Sequence, residues 1–248
     1  MIQFQNLTKK FGDLTAVDSI DIAIPSGTVF GFLGPNGAGK TTSIKMTVGL
    51  MKPTEGRILI DGTDVQEKPE ETKQKIGYIP DSPYIYDKLT AWEFVSLVGG
   101  LFGMDEKDII ERSEYYFDLF GVGDWANDRA EEYSHGMRQK IVLSASLMHE
   151  PSIIVIDEPM VGLDPQSQKT VKDVLRKKAE EGATVFMSTH TLSIAEEICD
   201  RVGIITHGKI LMIETIEEIR KRFKDEKEAT GKGDLEELFI KLTSGKGE

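Results

Sequence analysis

Ile20, Ile22 and Ile24 alternate with Ser19, Asp21 and Ala23 across Val17 to Ile24, the period of a half-buried strand. Met1 to Leu7 reads as a strand as well. From Thr28 to Leu33 the chain is continuously apolar around Gly31, which predicts a central strand covered on both faces, and a helix then extends through Leu50. Gly56 to Gly62 forms a short strand closed by a turn signal. The period changes at Thr90. Thr90 and Glu93 have the spacing of a capping box, and Phe94, Leu97, Val98 and Leu101 recur at i, i+3, i+4, i+7, so an amphipathic helix is expected. Ile109, Ile110, Tyr116, Phe117 and Phe120 carry a second helical pattern, and the region 81–133 reads as a helical insert in an α/β core. After it, strand-like runs at Ile153 to Ile156, Thr184 to Met187 and Val202 to Ile205 alternate with helices starting near Pro165 and Leu192. That alternation indicates a parallel sheet with helices on its faces. The expected division is a domain over residues 1–220, with its helical subdomain at about 81–133, followed by a Lys-, Glu- and Gly-rich linker and a last helix within 221–248.

Composition narrows the class. The 248 residues suffice for a well-buried core. Cys199 is the single cysteine, which excludes an intramolecular disulfide and speaks against a cysteine-based metal site. A small, buried, apolar role on a helix is expected for it. A formal net charge of -12 argues against a nucleic-acid partner. The N-terminus lacks the basic region and apolar block of a signal peptide, and no segment is long and apolar enough to cross a bilayer. A cytosolic chain is expected, with any membrane role resting on a separate partner.

Gly34-Pro35-Asn36-Gly37-Ala38-Gly39-Lys40-Thr41 fits G-x-x-x-x-G-K-[ST] between an apolar run and a periodic segment. Glycines at such positions let successive N–H groups turn inward onto phosphate oxygens beside a helix N-terminus. Lys40 is then expected to reach the β- and γ-phosphates and the Thr41 hydroxyl to ligate Mg²⁺, with Thr42 counted among the binding residues. Ile153 to Glu158 is an apolar strand ending in two carboxylates, at the end where parallel sheets bind ligands. Asp157 suits Mg²⁺, directly or through water, and Glu158 suits the general base that receives a proton from the attacking water. The alternative is a pair of acids leaving a strand into solvent. His190, in Ser188-Thr189-His190, sits on the same rim, either placed to donate to a γ-phosphate oxygen or simply a structural or exposed histidine. Asp164 before Pro165 has helix-capping chemistry, a site role, or both.

Tyr133-Ser134-His135-Gly136-Met137-Arg138-Gln139 lies after the helical insert and shortly before the Asp157 strand. With Gly34 to Thr41, Asp157-Glu158, Gly162-Leu163-Asp164 and His190, in this order, it makes the chain resemble the ATP-binding subunits of ABC transporters over essentially its whole length. The resemblance implies an α/β P-loop NTPase cassette with a mixed β-sheet core, an antiparallel β subdomain and a helical insert. It implies ATP and Mg²⁺ as cofactors, ATP hydrolysis, and a head-to-tail dimer with a second ATPase subunit. In that dimer Ser134 and the Gly136 N–H of one copy contact the γ-phosphate held by the loop of the other. Phe11 would stack on the adenine, or else be a core phenylalanine. The chain departs from the family pattern in places. Tyr133, His135 and Met137 replace the leucine, first glycine and glutamine of L-S-G-G-Q, and Val161 replaces a small polar residue. Asp81 stands where glutamine is usual, and a carboxylate can bind Mg²⁺ or accept from water but cannot donate as an amide does.

By the same resemblance, separate transmembrane permease subunits receive the motion of the dimer at the cytoplasmic face of the membrane. Pro83 to Leu89, with Tyr84 and Tyr86, is the expected contact surface, unless those aromatics pack internally. Asp234 to Thr243 resembles the ending of ABC-2-type exporter ATPases, or is an amphipathic helix that docks on the domain. The expected function is therefore the ATPase subunit of a membrane exporter. The alternatives are a cytosolic ABC ATPase driving a soluble assembly of iron-sulfur scaffold type, and a nucleotide-gated regulatory module without turnover.

Overall fold

Strands β1 (Ile2–Phe11) and β2 (Leu14–Ile24) pair antiparallel, and the alternating isoleucines of β2 face the same side as Ile2, Phe4 and Leu7 of β1, all buried. They begin a computed structural model that describes residues 1–222. The five residues of β3 (Val29–Leu33) are all buried, as their unbroken apolar run requires, and β3 delivers the chain to α1 (Lys40–Thr47). Strand β4 (Glu55–Ile60) turns through Asp61 and Gly62, both at positive φ, into the short β5 (Thr63–Asp64). That is the backbone a two-residue hairpin loop demands, and an Asp-Gly pair adopts it readily. Helix α2 (Pro69–Lys73) and strand β6 (Ile76–Ile79) precede the insert, which holds α3 (Ala91–Leu101) and α4 (Glu106–Phe120). The remainder is α5 (His135–Leu147), β7 (Ile153–Asp157), α6 (Pro165–Glu180), β8 (Thr184–Thr189), α7 (Leu192–Ile198), β9 (Arg201–Thr206) and β10 (Lys209–Thr215), with helix again over 216–222.

The strands form two sheets. One is antiparallel, in the order β2-β1-β4-β5; the other has the order β10-β9-β3-β8-β7-β6 and is parallel except for its β9–β10 edge. Between the sheets Phe4, Phe30 and Phe32 surround Phe186, with ring centroids 5.5–6.1 Å apart. Such pairs contribute about 0.5–1.5 kcal/mol each beyond the area they bury. The other face of the main sheet is covered by α5, α6 and α7 through a second core that includes Ile154, Ile156, Val185 and Met187. Because β3, β6, β7 and β8 run parallel, their carboxyl ends meet at one rim, where the chain's loops converge.

The insert starts with a complete capping box. Thr90 Oγ1 accepts from the Glu93 N–H at 3.2 Å, and Glu93 Oε2 accepts from the Thr90 N–H at 2.9 Å. The helix it opens buries a different stripe from the one its spacing singles out: Ala91, Val95 and Gly99 face inward, whereas Leu97 is exposed and Leu101 is 74% exposed. Gly99 allows this close approach, since a β-carbon there would lie 2.5 Å from Ile109 Cγ1. Helix α1 ends at Thr47, three residues before the expected Leu50, where Gly49 takes φ 72° and its N–H bonds Met46 O. Cys199 is buried as expected but caps α7 in extended conformation rather than lying on it, and burial pushes its thiol pKa upward. The linker and terminal helix expected within 221–248 fall almost wholly outside the described residues.

Candidate functional site

Tight backbone packing shapes the loop after β3. Gly39 takes φ 109°, and a β-carbon there would lie 2.5 Å from Ala16 O; one on Gly34 would lie 2.3 Å from Ile205 O. Only glycine fits both places. The loop floors an open cavity of about 500 Å³, to which Pro35, Asn36, Gly37, Gly39, Lys40, Thr41 and Thr42 contribute. Phe11, Leu14 and Ala16 form one wall, while Asp81, Glu158, Val161 and His190 form the other. Gly34 and Ala38 lie beneath the surface of the loop, Ala38 being buried in the core between the sheets.

Lys40 is only 6% exposed, and its Nζ donates to Gly34 O at 2.6 Å and to Pro35 O at 3.2 Å. Burial lowers its pKa, and the nearby carboxylates of Glu158 and Asp157 oppose that shift. Asp157, at the end of β7, is 2% exposed and accepts from Ser188 Oγ at 2.5 Å. Glu158, at φ 52°, holds its Oε1 3.0 Å from His190 Nδ1 and 3.8 Å from Lys40 Nζ. The two acids therefore do not simply leave the strand into solvent. His190 is partly exposed on the cavity wall, between the end of β8 and the start of α7.

Phe11 is 46% exposed on the cavity wall, with Lys9 Nζ 5.2 Å from its ring centroid, so its reading as a core phenylalanine is overturned. Asp81 is exposed on the opposite wall. Tyr84 and Tyr86 do not pack internally either: both are exposed, and they meet edge to face. Tyr84 joins Phe94, Val98, Leu101 and Phe102 along a mostly apolar groove that continues over Leu50 and Tyr78. Phe94 and Val98 pack against the edge of the core while Leu101 stands outside it, and all three line this groove.

Asp157 is not among the residues that line the cavity, and three further expected site residues lie away from it. Ser134 caps α5, accepting from the Met137 N–H at 3.3 Å, with its own side chain exposed. Gly136 packs on the loop before α6, where a β-carbon would come within 2.7 Å of Gly162 O. Asp164 caps α6, accepting from the Ser167 N–H at 3.0 Å and from Ser167 Oγ at 2.5 Å. Those donors hold its carboxyl pKa below the usual carboxylate range. Of its two roles, capping is the one displayed within a single copy. Leu14, Ala16 and Ser188 are parts of the site that sequence spacing does not single out. Leu14 and Ala16 sit three and five positions beyond Phe11 across the β1–β2 turn, and the hairpin itself was their available signal.

Among the described residues no three His, Cys, Asp or Glu side chains group as a metal-binding set. A divalent ion at this cavity would draw its oxygen ligands from phosphates, water and a few protein oxygens, the usual arrangement for Mg²⁺. Nor is any described helix long and apolar enough to cross a membrane.

Residues 17–161 match the sequence profile of the family described as ABC transporter. The chain is 36% identical over 215 residues to the linearmycin resistance ATP-binding protein LnrL of Bacillus subtilis, covering 87% of this chain and 69% of that one. It is 35% identical over 223 residues to the bacitracin transport ATP-binding protein BcrA of Enterococcus faecalis, covering 90% and 71%. The probable multidrug ABC transporter ATP-binding protein YbhF of Escherichia coli is 34% identical over 242 residues, covering 98% of this chain but only 41% of that longer protein. Among solved structures, an ATP-binding subunit of an ABC transporter matches with a TM-score of 0.88 at 28% identity, covering 98% of this chain and 99% of that one. A dimeric ATP-binding cassette in a post-hydrolysis state, bound to ADP and phosphate, matches with a TM-score of 0.80 at 26% identity, covering 87% and 99%.

Proposed function

The chain belongs to the ABC transporter family of ATP-binding proteins, and from that membership we propose that it hydrolyses ATP in a site closed by two head-to-tail copies and so drives a separate membrane permease. The observation that carries the reading is the meeting of Glu158, His190 and Lys40 over the glycine loop, with Oε1 of Glu158 within 3.0 Å of one partner and 3.8 Å of the other. A buried lysine, a partly buried carboxylate and an imidazole at the end of parallel strands suit phosphoryl transfer to water, which needs phosphate binding, charge stabilisation and a positioned water. The loop N–H groups and Lys40 hold the β- and γ-phosphates. Glu158 accepts a proton from the attacking water, and His190 bonds a γ-phosphate oxygen. Thr41 and Asp157 would hold Mg²⁺, which would neutralise developing phosphate charge, and Asp81 would add a carboxylate from the cavity lining. The hard oxygens of these side chains fit that ion.

Ser134 and the Gly136 N–H act on the nucleotide of the second copy, which is consistent with their place at the N-terminus of α5, outside their own cavity, with Ser134 exposed and Gly136 half-buried. Asp164 enters as the residue that fixes the start of α6, and with it the loop following Glu158. Phe11 stacks on the adenine. Base stacking on an aromatic ring is worth about 1–3 kcal/mol, so Phe11→Ala should raise the KM for ATP roughly 5- to 150-fold with little change in kcat. Steady-state phosphate release at varied ATP checks this, and an unchanged KM would remove Phe11 from the site.

The relatives named for resistance to linearmycin, bacitracin transport and multidrug transport support export as the direction. The apolar groove at Tyr84 and Leu101 is the proposed seat of the permease. A tagged Glu158→Gln chain, expressed in its native cell and purified from detergent-solubilised membranes with ATP, tests the whole reading. Recovery of a multi-spanning protein in stoichiometric amount is the expected result, and Leu101→Glu should release it. Recovery of soluble partners alone would favour the assembly ATPase instead.

A further inference from the structure

Strands β7 and β8 are parallel neighbours, and their register sets Asp157 directly beside Ser188. Side chains alternate along β8, so Ser188 shares a face with Phe186, in the core between the two sheets that also holds Ile44 of α1, while Met187 faces the opposite core. Ser188 therefore points under the glycine loop, and it is fully buried. There its hydroxyl makes two bonds of opposite sense. It donates to Asp157 Oδ1 at 2.5 Å and accepts from the Glu158 backbone N–H at 3.1 Å.

Glu158 needs such a hold. It is a non-glycine residue at φ 52°, a backbone region that side-chain-bearing residues occupy only where neighbouring structure imposes it. The carboxylate that emerges from this backbone reaches His190, two residues beyond Ser188 on the same strand end. Ser188 thus ties the strand carrying the acid to the strand delivering its imidazole partner. We propose that Ser188 is a positioning residue for hydrolysis: its hydroxyl locks Asp157 and the Glu158 backbone into one arrangement and so aims the Glu158 carboxylate. The inference rests on the reading of Glu158 as general base. It accounts for a hydroxyl at the end of a strand whose central residues, Val185 to Met187, are apolar.

The test compares Ser188→Ala and Ser188→Thr with the unaltered chain, all as full-length protein. Misaiming a reacting group by a fraction of an ångström costs large factors in rate, so Ser188→Ala should lower kcat at least about tenfold while the KM for ATP stays within about threefold. Ser188→Thr keeps the hydroxyl and should return kcat to within about threefold of the unaltered chain. Ser188→Cys keeps only a weak donor in nearly the same volume, and should fall several-fold below threonine. Once that acid is gone Ser188 has only Asp157 left to hold, so in a Glu158→Gln background Ser188→Ala should lower the residual single-turnover rate by a clearly smaller factor than it lowers kcat of the unaltered chain. Thermal melting of each variant separates aim from folding, and the threonine and cysteine variants carry the comparison if the alanine variant does not fold. Unchanged kcat in a folded Ser188→Ala, equal turnover in the threonine and cysteine variants, or a full further loss in the Glu158→Gln background would each overturn the inference. Absence of hydrolysis by the unaltered chain would instead overturn the ATPase reading beneath it.

Discussion

Glu158→Gln should cut steady-state phosphate release by at least about a hundredfold, the lower end of what a positioned general base contributes. Glutamine keeps the shape of the side chain and its ability to hydrogen-bond His190, so the cavity should survive and ATP should still bind. On the proposed reading, what it removes is the site that receives the water's proton. An ATP-filled dimer that cannot hydrolyse cannot part, so the variant should run as a dimer in size-exclusion chromatography with ATP and as a monomer without it. The structure adds a reason for the size of the effect. Glu158 is 15% exposed and holds its Oε1 toward Lys40 and His190 together, so two partners fix this carboxylate in one place. Turnover within tenfold of the unaltered chain would reassign the base, and Asp81, also in the cavity lining, would be the next residue to change.

Lys40→Ala should fail earlier, at binding. Hydrogen bonds to charged groups are worth about 1.5–3 kcal/mol, so loss of the ammonium should weaken ATP binding roughly 10- to 150-fold and leave hydrolysis undetectable. The effect should exceed that of an ordinary surface lysine because burial has already stripped Lys40 of water and set it among carbonyl oxygens and the carboxylates of Glu158 and Asp157. Removing it leaves those negative charges facing an incoming triphosphate without the ammonium between them. Titration of a fluorescent ATP analogue measures the change, and an affinity within twofold of the unaltered chain would take Lys40 out of phosphate binding.

Much of this site is legible in the chain because its parts carry local signatures. A loop that needs glycine at Gly34 and Gly39, a run of apolar residues ending in Asp157, and a Thr90–Glu93 capping box each state their backbone requirement in a few consecutive letters. The legible parts stop where meaning depends on what lies opposite. Phe94, Leu97, Val98 and Leu101 have the spacing of a buried stripe, yet spacing cannot say what will cover it, and most of that stripe lines an open groove instead. Ser188 has no spacing signal at all, since its role comes from standing beside Asp157 on another strand, 31 residues away in sequence. Strand β10 leaves only a weak mark in the chain because Lys209 to Thr215 mixes polar and apolar residues at the sheet edge, where one neighbour pairs with it. Helix α1 ends earlier than its apolar pattern predicts because Leu50 and Met51 continue that pattern past Gly49, which ends the helix.

The strand order also has a consequence for the newly made chain. Strand β3 sits between β8 and β9 in the finished sheet, and neither of its neighbours comes from its own part of the sequence. At the usual pace of synthesis, about 5–20 residues per second, the Val-Phe-Gly-Phe-Leu segment waits roughly 8–30 s for the next 150 or so residues to emerge before it can pair. Throughout that interval an entirely apolar strand, attached to a glycine-rich loop with nothing yet to cradle, has both edges open. The central strand of the mature sheet is therefore the nascent protein's most adhesive segment, and a ribosome-bound chain arrested near residue 150 should recruit chaperones that one arrested after β9 does not.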